Sequence, residues 1–80
     1  MPFEEIGREL WIKYPAMENY EKDSAELEDK IWENPGKDVI IIYIEATKQM
    51  KKISGEKKVD AADMMDWLVA RYGEANVKLV

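Results

Sequence analysis

Six consecutive β-branched or aromatic residues, Val39-Ile40-Ile41-Ile42-Tyr43-Ile44, constrain this chain more than any other stretch. Such a run fits a strand in the middle of a sheet, with both faces at least partly covered. Alternation splits it into two rows, Ile40, Ile42 and Ile44 on one side and Val39, Ile41 and Tyr43 on the other. It is also the longest apolar run, far below the roughly 20 residues that span a bilayer. With 80 residues and no cysteine, the chain has room for one core and no disulfide to staple it.

The rest of the chain supplies partners for that strand. Leu10-Trp11-Ile12-Lys13-Tyr14 alternates as a second strand and stops at Pro15. From Ala16 to Glu33 the period changes, and Met17, Tyr20, Ser24, Leu27 and Ile31 form one helical stripe. Asn34-Pro35-Gly36 ends that helix. A polar turn over residues 45–48 leads into a lysine-rich strand, Gln49 to Ile53, suited to a sheet edge. Residues 54–58 read as a loop.

Asp60 is placed to cap a second helix with Ala61, Met64, Met65, Leu68 and Tyr72 as its stripe and Gly73 as its stop. Val77 to Val80 closes the chain as a short strand. The order βαββαβ predicts an α+β fold, a two-layer ferredoxin-like sandwich with both helices on one face of a four-stranded antiparallel sheet. Residues 1–8 are expected to lead in from an upstream domain, and residues 9–80 to form a single C-terminal α+β domain.

The inventory excludes much chemistry. Without histidine or cysteine there is no imidazole or thiolate for nucleophilic catalysis or for a soft metal site. Gly7, Gly36, Gly55 and Gly73 are isolated and build no phosphate-cradling loop. Asp60, Asp63 and Asp66 could weakly hold a hard cation, but helix capping and a solvated face account for them equally well. No catalytic, cofactor-binding or metal-binding residue is assigned, and the chain is expected not to be an enzyme. The acidic start and the lack of a long apolar segment point to a cytoplasmic protein, neither exported nor embedded in a membrane.

Charge is unevenly spread. The net charge is −5, which disfavours general nucleic-acid binding. Residues 18–33 alone carry seven acids against Lys22 and Lys30, whereas residues 48–58 carry five lysines against Glu56. Solvated faces are the plainest reading of both runs. Of the three tryptophans, Trp67 borders a helical stripe and is expected in the core, and Trp32 is placed to plug the rim. Trp11 alternates onto the sheet face that the helices leave open. If the isoleucine row faces the helices, Val39, Ile41 and Tyr43 join Trp11 there. With Lys13, Lys52 and Lys78 at the rim, the patch reads as a docking surface. A neighbouring domain or a dimer mate covering it is the plainer alternative.

Leu10-Trp11-Ile12, a helix, Pro35-Gly36-Lys37-Asp38, Val39 to Glu45 and Thr47-Lys48 form one ordered series. Val59 ahead of a helix and the ending Tyr72-Gly73-Glu74-Ala75-Asn76-Val77-Lys78 continue it. Over residues 9–80 this series resembles the extreme C-terminal domain of the alpha subunit of bacterial DNA polymerase III. The ending around Gly73 to Val77 is its most telling piece. The resemblance implies a position after an oligonucleotide-binding barrel in a large polymerase chain, and recruitment of replisome parts such as the tau subunit of the clamp loader. It does not imply polymerase activity in these residues, because that family's catalytic aspartates lie in other domains. The alternative is a ferredoxin-like module that binds single-stranded nucleic acid, with Trp11 and Tyr43 as a stacking platform beside Lys13, Lys52 and Lys78. A small-molecule regulatory module that pairs through its sheet is a third reading.

Overall fold

A computed structural model describes residues 7–53 and 58–80, with the side chains of residues 51–53 outside that description. The elements run β1 (Glu9–Tyr14), α1 (Met17–Glu33), β2 (Pro35–Ile44), β3 (Gln49–Ile53), α2 (Ala61–Tyr72), a 3-10 turn (Glu74–Asn76) and β4 (Val77–Leu79). This is the expected βαββαβ order in an α+β fold with one four-stranded sheet. The strand order is β3-β2-β1-β4.

The sheet is mixed, not antiparallel as expected. β1 and β2 are parallel neighbours, Leu10 opposite Ile40 and Ile12 opposite Ile42, while β2–β3 and β1–β4 are antiparallel. The physical reason is the connection. The 17-residue helix α1 is long enough to return the chain to the same end of the sheet, which is what parallel pairing needs. Nothing in the local pattern says whether another strand will slip between the two.

Both helices cover one face. Leu10, Ile12 and Tyr14 of β1 and Ile40, Ile42 and Ile44 of β2 are buried with Leu27 and Ile31 of α1 and Met64 and Leu68 of α2. The isoleucine row therefore faces the helices as expected, and β2 lies inside the sheet with β3 at its edge. Met17 and Tyr20 of α1, and Met65 and Tyr72 of α2, are half-buried against that core. No helix among the described residues is long and apolar enough to cross a membrane.

β2 begins at Pro35, four residues ahead of the expected start at Val39. Pro35 and Asp38 both bridge to Val59, and Asp60 N–H donates to the Asn34 carbonyl at 2.8 Å. A proline is tolerated at a strand's first residue, where no ladder donor is required of it. Gly36 is needed here, because a Cβ would stand 2.4 Å from the Asp60 nitrogen. Residues 1–6 of the expected lead-in and residues 54–57 of the expected loop lie outside the described residues.

Candidate docking face

The sheet face opposite the helices is where the sequence-predicted site residues meet. Trp11 pairs in register with Ile41 on one side and Lys78 on the other, and Lys13 pairs with Tyr43. Trp11, Val39 and Tyr43 are half-buried, whereas Lys13 and Lys78 are exposed. Lys52 is the cross-strand partner of Ile41, and its side chain lies outside the described residues. Met50, opposite Tyr43 on β3, is 65% exposed and extends the apolar surface toward that edge.

Ile41 corrects the expected exposed row. At 8% exposure it belongs to the floor of the face, because β2 has a strand on each side and Ile41 sits midway along the ladder. It supports the patch from beneath and offers little contact area of its own.

Over β1 and β4 the face deepens into a groove of about 430 Å³. Trp11, Tyr43 and Val80 supply its apolar lining, Glu9, Lys13 and Lys78 its charges, and Ala75 and Asn76 of the 3-10 turn one wall. The Trp11 indole Nε1–H donates to Glu9 Oε1 at 3.4 Å, and Lys13 Nζ pairs with Glu45 Oε2 at 3.2 Å. Lys78 makes no ion pair among the described residues. The wall exists because Gly73, at φ 89°, turns the chain after α2, and Asn76 Nδ2–H donates to the Tyr72 carbonyl at 2.7 Å. That short turn and the groove it walls have no periodic signature, so sequence reasoning missed them.

Beneath the opposite face lies a polar hub that sequence reasoning also missed. Asp38 is 7% exposed, and its Oδ1 accepts from Arg8 N–H at 2.9 Å. Its Oδ2 accepts from Ala61 N–H at 3.0 Å and from Arg8 Nη2 at 3.2 Å. Burial pushes the Asp38 carboxyl up, but the two backbone donors and the Arg8 guanidinium outweigh it and hold the group below its ordinary value. Asp38 thus ties the segment entering β1 to the first turn of α2. A lone aspartate just before an apolar strand reads as a turn residue, and only the fold brings Arg8 and Ala61 to it. Gly7 is packed hard beside this hub, since a Cβ would fall 1.9 Å from the Lys37 carbonyl oxygen.

The aromatic residues on the helix side are structural. Tyr14 and Tyr72 share a hydrogen bond between hydroxyls at 2.9 Å. Burial, and then that bond, drive the Tyr14 phenol far above its usual range, so it stays protonated and is no proton acceptor at neutral pH. Trp67 packs edge-on against Tyr72 with Lys30 and Arg71 over its ring, partly buried against the core as its helical position implied. Trp32 does not plug the rim. It is 64% exposed, because one step of about 100° along the helix turns it away from the buried Leu27–Ile31 stripe. Asp60 caps α2 by accepting from Asp63 N–H at 3.1 Å, which is the capping reading of that acidic cluster. Among the described residues, no three acids gather to hold a metal ion. Compared with protein-family models, curated proteins and solved structures, the chain matches none.

Proposed function

We propose that this chain is a non-catalytic docking domain whose open sheet face captures another protein. The observation that carries the reading is the half-exposed row of Trp11, Val39 and Tyr43, which no described element covers, beside a groove with a lysine rim. Large half-exposed aromatic residues around a concave surface are the usual anchors of protein interfaces. The sequence resemblance supplies the setting, the C-terminal end of a replicative DNA polymerase III alpha subunit, and a partner, the tau subunit of the clamp loader. An oligonucleotide-binding barrel upstream in the same parent chain belongs to that setting, and so does a cytoplasmic location.

Single-stranded nucleic acid is the competing ligand, and the groove chemistry weighs against it. Among the described residues two lysines line the groove, one paired with Glu45, and Glu9 sits among them. So few cations release few counterions on binding a phosphate chain. The experiment is a titration of labelled protein with a tau C-terminal fragment and with oligothymidylate, at low and moderate salt. Saturable binding of the fragment that survives the salt increase supports the reading. Binding of oligothymidylate alone, falling steeply with salt, overturns it.

A further inference from the structure

The docking reading leaves open what lies in the groove, and the backbone at its edge narrows the choice. Glu9 and Val80 exchange both of their backbone hydrogen bonds, at 3.1 and 2.8 Å. In an antiparallel ladder the next bonded pair is therefore Trp11 with Lys78, and Leu79 between them turns its N–H and C=O away from β1. Among the described residues β4 is the last strand of the sheet, so those groups face outward along an edge that no described strand covers. An extended peptide can pair with them, whereas a nucleic-acid backbone has no matching alternation of donor and acceptor.

Charge then selects the kind of peptide. The exposed acids of α1, from Glu18 to Glu33, lie in the helix layer, on the other side of the sheet from the groove. The groove side carries Lys78, with no ion pair among the described residues, and Lys13, whose pair with Glu45 is solvent-exposed and so readily exchanged. Glu9 is already engaged by the Trp11 indole. An acidic ligand is thus repelled by the helix face. On the groove side Glu9 and Glu45 stand beside Lys13 and Lys78, so a short segment with one or two carboxylates can exchange into the lysine pairs, whereas a longer polyanion meets no further cation lining the groove among the described residues. Between the lysines, the Trp11 and Tyr43 lining offers an apolar seat.

We propose that an acidic, extended segment of a partner protein adds as a strand along β4. Its carboxylates meet Lys78 and Lys13, and one apolar side chain enters the groove against Trp11. This inference rests on the open face being a docking surface, and it names the chemistry of the occupant.

The test uses the full chain and a short synthetic peptide, Ser-Glu-Ser-Leu-Ser-Glu-Ser, whose glutamates and leucine share one face of an added strand, followed by calorimetry and by amide exchange read by NMR. Saturable binding is expected, with the Leu79 amide newly protected from exchange. Lys78→Glu should weaken that binding about tenfold or more, and should tighten binding of the same peptide with lysine in place of glutamate. Trp11→Ala should weaken both peptides. Equal binding of the two peptides by the unaltered protein overturns the inference, as does an unchanged Leu79 amide. Oligothymidylate perturbing the same residues, or a dimer in sedimentation that already covers them, overturns it too. If a tau fragment binds through Trp11 while the acidic peptide does not, this inference falls and the docking reading stands. Binding of the peptide but not the fragment leaves this inference standing and removes tau as the partner.

Discussion

Replacing Asp38 by alanine should cost the fold about 3–5 kcal/mol, and the structure says where that figure comes from. The Ala61 amide, in a fully buried residue, loses its acceptor, and an orphaned buried donor costs about 1–3 kcal/mol. The Arg8 amide loses a charge-assisted bond of similar worth. The Arg8 guanidinium is half-exposed, so its share is under about 1 kcal/mol. Arg8→Ala should therefore cost less than about 1 kcal/mol, and Asp38→Asn, which keeps one acceptor oxygen, an intermediate amount. Urea unfolding at neutral pH measures all three.

The pH dependence gives a second readout. The folded-state pKa of Asp38 is lowered, so its contribution is complete above the ordinary value of 3.8. It is lost as pH falls through the lower folded-state value. The unaltered protein should lose stability more steeply in acid than Asp38→Asn, which has no such group to titrate. An Asp38→Ala cost below about 1 kcal/mol, or identical acid slopes in the two proteins, would refute the assignment of Asp38 as the buried acceptor for α2.

Three further outcomes follow from packing and backbone geometry. Ile42→Ala, at a fully buried site between β1 and β3, should cost about 2–5 kcal/mol in a urea titration. Gly36→Ala should cost about 1–3 kcal/mol in the same assay, because its Cβ would meet the backbone of Val59 and Asp60 at 2.4–2.6 Å. Lys48 holds φ 54° at the end of the β2–β3 turn, so Lys48→Gly should raise the thermal midpoint, by up to about 1 kcal/mol in stability.

Much of the fold is legible because two periods dominate the chain. The isoleucine row assigns its own face, and the helical stripes ending at Ile31 and Tyr72 assign theirs. Trp11, Val39 and Tyr43 are found on the open face for the same reason, since in a strand parity alone determines the side. Parity says nothing about depth, which is why Ile41 is buried among residues it alternates with. Nor does it report pairing partners, so the parallel β1–β2 ladder and the early start of β2 at Pro35 emerge only from the assembled sheet. Asp38 and the groove wall are harder still. Their contacts join Arg8 to Asp38 to Ala61, and the 3-10 turn to β1, across separations that no local window contains.

If the docking reading holds, the open face binds a partner and does not hold the fold together. Trp11→Ala tests it most directly when its affinity for a tau C-terminal fragment is measured beside its urea midpoint. The stability of the variant should change by no more than about 1 kcal/mol, as for a half-exposed cross-strand residue. Its affinity should weaken about thirtyfold or more, as for an anchor aromatic residue. Unchanged affinity in a folded variant would contradict the claim, and so would unfolding of the variant, which would make Trp11 part of the core.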